Sequence, residues 1–360
     1  MQRPVTTLRL SPQIKVKVLN AGFQTLDDVT QVSALELSRE AGLSQEEALE
    51  VLQAARKEAG ADEEGAGDGA SLTALDLLQK EEALTRIVTF SSRLDAALGG
   101  GLPVGKITEI CGVPGVGKTQ LCLQLAVDVQ VPPCFGGLGG QVVFIDTEGS
   151  FVVQRAVDLA AAAVRHCTLL AEEAEQRDAA AAFTVETILS NIFTVRCHDY
   201  VELLAEIYLL PDFLSSHPKV RLVVIDSVAF PFRQHFDELR GQRTRLLNGL
   251  AQQLISMATK HDAAVVLSNQ MTTRLQGDRS QLVPALGESW GHAPTLRLLL
   301  RWAGPQRQAT IFKSPDCEEA TVCYQITTEG FRDDDDDDDD RSERPPSKRP
   351  RTLAGQSAAC

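Results

Sequence analysis

The order of apolar and polar positions divides the chain into three kinds of sequence. Between residues 11 and 59, short stretches at helical spacing are each opened by a capping residue and closed by glycine or a new cap. Ser11-Pro12 starts the first, with proline at a position whose N–H has no helical partner, and Gly22 stops it. Thr25 and Ser33 cap the next two, Ser33 forming a capping box with Glu36. Gly42 ends that helix, and Ser44 with Glu47 opens the last. After a short helix at 73–82 and a strand at 87–90, apolar runs at 107–111, 142–145, 192–195, 222–225 and 264–267 alternate with helical stretches. That alternation predicts an α/β fold with a mainly parallel sheet flanked by helices. Segment 160–182, rich in alanine and glutamate, reads as a surface helix and loop. From 295 onward the apolar runs 295–302, 308–312 and 321–326 follow one another without helices, so an antiparallel C-terminal extension is expected.

Between the strand at 107–111 and the helix that follows lies Gly112-Val113-Pro114-Gly115-Val116-Gly117-Lys118-Thr119, a G-x-x-x-x-G-K-[ST] phosphate loop. Its glycines let backbone N–H groups turn inward around an anion, and the helix beyond presents its positive end to the same place. Lys118 is expected to reach the β- and γ-phosphates and Thr119 to offer its hydroxyl to Mg²⁺. Gln120, the next residue, is counted with the loop. Three other runs end in polar residues: Asp146-Thr147-Glu148-Gly149, Asp226-Ser227 and Ser268-Asn269-Gln270. The carboxyl ends of parallel strands line one crevice, so these residues should converge on the phosphates. Asp226 is the expected Mg²⁺ carboxylate, Glu148 the group that activates or orients water, and Gln270 a reporter of the γ-phosphate.

Composition bounds the rest. At 360 residues, 43% of them apolar, the chain is long enough for one large domain and a small one. No apolar run approaches the roughly 18 residues of a membrane span, and no membrane association is expected. Eight cysteines without a C-x-x-C pair read as reduced thiols, mostly filling core space. The net charge of −14 falls to −6 without the eight aspartates of 333–340, a tract expected to stay solvated and unstructured. The expected boundaries are a helical domain at 1–58, a glycine-rich acidic linker at 59–72, a core at 73–331 and a charged tail at 332–360.

The phosphate loop, Ile145-Asp146-Thr147-Glu148-Gly149, Val224-Ile225-Asp226-Ser227 and Ser268-Asn269-Gln270 resemble, in order and spacing, the RecA/RadA recombinase family. The small helical domain ahead of the core resembles the eukaryotic branch. The resemblance covers about residues 10–330 and implies a RecA-type P-loop ATPase core behind a small all-α, helix-hairpin-helix-like domain. It further implies a DNA-dependent ATPase in homologous recombination and double-strand break repair, using ATP and Mg. Its implied partners are sister recombinase paralogues in hetero-oligomeric complexes, the recombinase filament, and single-stranded or branched DNA. Position by position, Lys118, Glu148 and Gln270 take the catalytic roles and Thr119 and Asp226 the metal roles. His292 takes the part of a sensor of a neighbouring subunit's γ-phosphate. The family's two DNA loops fall at 227–241, with Arg233 and Arg240, and at 271–288, with Arg274 and Arg279. Phe230, Phe232 and Phe236 either stack on bases or pack inside.

Two turns of the helical domain, Asn20-Ala21-Gly22-Phe23 and Glu40-Ala41-Gly42-Leu43, either contact DNA phosphate through backbone N–H groups or simply end helices. Residues 59–72 lack the family's Phe-x-x-Ala self-assembly signal, and Lys313-Ser314-Pro315 stands where the family has Asp-Ser-Pro. Lys313 is therefore expected to bring a positive charge toward a neighbour's γ-phosphate. Lys348, Arg349, Pro350 and Arg351 form a basic cluster read as a nuclear-import signal, placing the protein in the nucleus and also the cytoplasm. The alternative to an ATP-driven subunit is an ATP-stabilised scaffold that hardly hydrolyses.

Overall fold

A computed structural model describes residues 4–8, 10–30, 32–59, 73–82, 84–233, 240–276 and 279–334. The chain forms two compact units, Met1–Ala83 and Leu84–Cys360. In the first, helices α1 (Pro12–Asn20), α2 (Leu26–Thr30), α3 (Ala34–Ala41) and α4 (Gln45–Ala59) enclose an apolar centre of Ile14, Val18, Val29, Leu37, Val51 and Leu52. The caps are those the sequence predicts. Ser11 accepts from the Ile14 N–H, Ser33 and Glu36 form the capping box, and Ser44 and Glu47 bond reciprocally. Helix α5 (Ala74–Glu82) belongs to this unit rather than to the core the sequence assigned it to.

The second unit is built on a ten-stranded sheet. Ahead of it, β1 (Arg86–Ile87) pairs with β2 (Leu102–Pro103) across α6 (Ser92–Ala97). The strand expected at 87–90 is this short because Thr89 and Ser91 turn the chain into α6, whose Leu94 N–H Ser91 caps. The sheet itself starts with β3 (Ile107–Gly112), which feeds α7 (Lys118–Asp128) through the glycine loop. Next come β4 (Gln141–Asp146), α8 (Val153–Leu170), α9 (Ala174–Ala182), α10 (Val185–Ser190), β5 (Ile192–Arg196), α11 (Tyr200–Ser216) and β6 (Val220–Asp226). Helix α12 (Arg240–His261) leads to β7 (Ala264–Gln276), and β8 (Arg279–Pro284) folds back on it. The chain finishes with β9 (Leu296–Ala303), β10 (Gln306–Lys313), β11 (Thr321–Thr327) and β12 (Gly330–Asp333).

Strand order is β12-β11-β10-β9-β3-β7-β6-β4-β5 with β8 paired to β7; β9, β3, β7, β6, β4 and β5 run parallel, and β10 to β12 antiparallel. The central strands are buried on both faces, which is why they read as unbroken apolar runs. Two expectations need correction. Segment 160–182 is not merely surface: Ala160, Ala162, Ala163 and Cys167 of α8 are buried, small side chains that let the helix lie close to its neighbours. The tract at 333–340 is not wholly outside the fold either. Asp333 ends β12 and accepts from the Ser91 hydroxyl, from the hydroxyl and N–H of Ser92 and from the Arg93 N–H. The described cysteines are all free, and five of the seven are buried. No helix among the described residues is long and apolar enough to cross a membrane.

Candidate nucleotide-binding site

At the carboxyl ends of the parallel strands, the loop between β3 and α7 bends through Gly115 (φ +77°) and Gly117 (φ +116°), backbone that a β-carbon would strain. Ile326 of β11 packs so closely over Gly117 that any side chain there would meet it. The buried Tyr324 hydroxyl donates to the Val116 carbonyl at 2.8 Å, fixing the loop from beneath. Lys118 lies back along the loop and donates to the Val113 carbonyl at 3.2 Å. Burial holds its pKa below the usual lysine value, against the opposing charges of Asp226 and Glu148.

Asp226, at the tip of β6, is 2% exposed. Oδ2 accepts from Thr119 Oγ1 at 2.6 Å and from Ser150 Oγ at 3.2 Å, while Oδ1 accepts from Ser268 Oγ. Burial raises its pKa, and the hydroxyls only partly counter that. The hydrogen bonds it accepts thus come from neutral groups, leaving a buried carboxylate among hard oxygen donors. That donor set fits Mg²⁺, which takes one or two carboxylates and completes its shell with water and phosphate oxygens.

Glu148 is exposed beyond β4, and its Oε1 accepts from Ser227 Oγ at 2.5 Å and from Gln270 Nε2 at 2.6 Å. Gln270 Oε1 in turn accepts from Arg233. The five expected groups Lys118, Thr119, Glu148, Asp226 and Gln270 therefore meet at one end of the sheet. A residue that the sequence reading left without a role sets their arrangement. Asp146 accepts the N–H groups of Glu148, Gly149 and Ser150 on Oδ1 and that of Phe151 on Oδ2, so it shapes the turn that carries Glu148. Thr147 Oγ1 donates to the Ser227 carbonyl and accepts the Ser227 N–H, both at 2.8 Å, stitching the tips of β4 and β6 together.

Elsewhere the expectations divide. Phe232 is buried and Phe230 is 36% exposed, so of the stacking candidates Phe232 packs inside; Phe236 lies outside the described residues. The segment 271–288 is largely the β7–β8 hairpin rather than an open loop. Arg274 pairs with Glu288, an exposed glutamate whose pKa this arginine lowers. Arg240 begins α12 and Arg279 begins β8, but their side chains lie outside the described residues, as does the basic cluster Lys348, Arg349, Pro350 and Arg351. A cavity of about 860 Å³ is lined in part by Arg233, Arg243, Arg274 and Glu288.

Lys313 departs from the expectation most clearly. Its ammonium donates to the carbonyls of Gly291 (3.0 Å), His292 (3.1 Å) and Pro294 (2.7 Å), which uses all three of its N–H bonds within its own chain. It clamps the turn bearing His292 instead of reaching outward.

Comparison with known proteins follows the same lines. The family model described as Rad51 matches residues 80–334. The chain is 56% identical over 340 residues to DNA repair protein RAD51 homolog 3 of Cricetulus griseus, covering 92% of this chain and 93% of that protein. It is 42% identical over 267 residues to the protein of the same name from Dictyostelium discoideum, covering 73% and 69%. To the DNA repair and recombination protein RadA of Metallosphaera sedula it is 32% identical over 323 residues, covering 88% and 91%. With a RecA-type α/β core behind a helical N-terminal unit, the chain belongs to the Rad51 family of RecA/RadA recombinases and so to their ATPase clan.

Proposed function

We propose that this chain is an ATP-binding, DNA-dependent ATPase subunit of a recombinase-paralogue complex that acts in homologous recombination and DNA repair. The observation that carries the reading is Asp226, a buried carboxylate held by three hydroxyls beside a glycine loop and Lys118. Mg²⁺ held by Thr119 and Asp226 would neutralise phosphate charge. Lys118 exchanges the Val113 carbonyl for phosphate oxygens, and Gly112 to Gly117 with the first N–H groups of α7 wrap the anion. Glu148 orients a water and takes up its proton, with Gln270 and Ser227 holding the carboxylate in place.

Binding of single-stranded or branched DNA is assigned to Arg233, Arg240, Arg274 and Arg279. Arg274 must exchange Glu288 for phosphate, so affinity should fall steeply with salt. The names of the relatives, their share of the chain and the missing Phe-x-x-Ala signal in 59–72 support hetero-oligomeric partners and assistance to the recombinase filament over self-assembly. Residues 1–58 are proposed as an accessory domain on a linker at 59–72. Residues 348–351 are proposed as a nuclear-import signal; deleting them should shift a tagged protein toward the cytoplasm, and unchanged nuclear accumulation would reject the signal.

One observation favours the scaffold alternative: Glu148 Oε1 already accepts hydrogen bonds from Ser227 Oγ and Gln270 Nε2, so a water bound there must displace one of them or use Oε2. The test is ATP hydrolysis by wild-type and Glu148→Gln protein, alone and with sister paralogues, with and without single-stranded DNA. Hydrolysis that rises with DNA and falls at least about tenfold in the variant, ~1.4 kcal/mol of transition-state stabilisation, supports the ATPase. ATP-dependent assembly with equal, negligible turnover in both proteins supports the scaffold.

A further inference from the structure

Glu109 lies in the middle of β3, three residues before the phosphate loop, and is 0% exposed. Its carboxylate gathers donors from four places in the fold. Oε1 accepts from Asn269 Nδ2 at 2.7 Å and Trp290 Nε1 at 2.8 Å, and Oε2 from Arg297 Nε at 2.6 Å and Cys111 Sγ at 3.3 Å. Asn269 immediately precedes Gln270 on β7, and also donates to the Ala285 carbonyl at the far end of the β7–β8 hairpin. Trp290 opens the one-turn helix that ends in His292. The Arg297 guanidinium is stacked on Phe312 at 4.8 Å and sits so close under Gly291 that a β-carbon there would lie 2.8 Å from Nη1. From the other side Lys313 binds the carbonyls of the same turn.

A buried ion pair is a poor source of stability compared with apolar packing, so its use here calls for a geometric reason. This one ties the phosphate-loop strand, the strand of Gln270 and the turn of His292 to a single carboxylate. We infer that Glu109, acting through Arg297 and Trp290, is a positioning residue that fixes the His292 turn to the strand leading into the phosphate loop, so that a change at the crevice is felt by the turn. The link from Glu109 to the turn stands on this geometry alone; its response to nucleotide rests on the proposed function.

Two variants loosen the turn without touching the phosphate loop. Trp290→Phe removes the indole donor and keeps an aromatic ring, and Gly291→Ala adds the β-carbon that Arg297 excludes. Hydrogen–deuterium exchange on the full chain reads the backbone N–H groups of His292 and Ala293, which bond to Ser289 and Trp290 carbonyls. Without nucleotide, both variants should exchange there at least about tenfold faster than wild type, with β4 and β6 unchanged and with ATP affinity held within about twofold. With ATP and Mg²⁺, exchange at the turn should slow in wild type and not in the variants. Unchanged exchange in both variants, or equally faster exchange throughout the core, would overturn the positioning role. An ATP effect on the turn that is absent from wild type or persists in both variants would overturn the coupling. A wild type that binds no ATP would overturn the ATP reading, and the nucleotide-free comparison would still decide the role of Glu109.

Discussion

Two buried carboxylates stand close in the same sheet and live in opposite surroundings. Asp226 faces hydroxyls, its pKa raised by burial, whereas Glu109 is matched by the Arg297 guanidinium, an indole N–H and an amide. The first is an incomplete electrostatic arrangement whose natural completion is a cation. The second is already complete, and nothing from outside can improve it. Beside the phosphate loop, the buried acid with neutral partners is open to a ligand, whereas the one with a cation built in is a structural knot.

The same chemical change at the two places should have opposite consequences. Glu109→Gln strands Arg297 in the interior and should cost ~3 kcal/mol or more of unfolding free energy. Asp226→Asn removes a carboxylate from neutral partners and should change nucleotide-free stability by under ~1 kcal/mol while removing Mg²⁺-dependent nucleotide binding. Denaturant unfolding of the two proteins measures both; equal costs would erase the distinction. Lys118→Ala should weaken ATP binding by roughly 10- to 100-fold, the value of one charge-assisted contact to phosphate, read by titration calorimetry.

Because burial raises the Asp226 pKa, the stability this group contributes is full below its unfolded value of ~3.9 and is lost as pH rises through the folded value. Mg²⁺ bound at Asp226, as proposed, would compete with that proton, so Mg²⁺-dependent ATP affinity should weaken as pH falls through the folded value; an Asp226→Asn protein with the same pH dependence as wild type would contradict it. Asp128 of α7 is a third buried acid, with its pKa pushed well up by burial and Oδ2 without a hydrogen-bond partner among the described residues. Asp128→Asn should stabilise the chain by ~1 kcal/mol near pH 8, with the gain vanishing below the unfolded pKa, as unfolding at several pH values would show. The smallest effect belongs to the helical unit, where Ser33→Ala opens a capping box and should cost ~1 kcal/mol or less.

What could be read from the sequence follows from how local each cause is. Caps and glycine stops depend on residues three or four apart, so Ser11, Ser33 with Glu36, and Ser44 with Glu47 were legible. The five residues of the crevice were legible because parallel strands bring their carboxyl ends together whatever the loops do. Glu109 carries no such signal, because one acid within Ile107-Thr108-Glu109-Ile110-Cys111 leaves the run apolar enough to read as buried strand, and its partners outside β3 lie 160 to 188 residues away. Lys313 was misjudged for a related reason. Its charge is visible in sequence, but the three carbonyls that absorb it exist only once the His292 turn is folded. The alanines of 160–182 read as surface in the sequence because alanine is ambiguous between an exposed helix and a close-packed one.

The claim that Asp226 and the glycine loop form a Mg²⁺–ATP site is tested most directly by titration calorimetry of the purified full chain with ATP. Wild type should bind one equivalent with Mg²⁺ and at least about tenfold more weakly without it, and Asp226→Asn should bind equally weakly in both conditions. Binding to wild type that is indifferent to Mg²⁺, or Mg²⁺-dependent binding retained by Asp226→Asn, would contradict it.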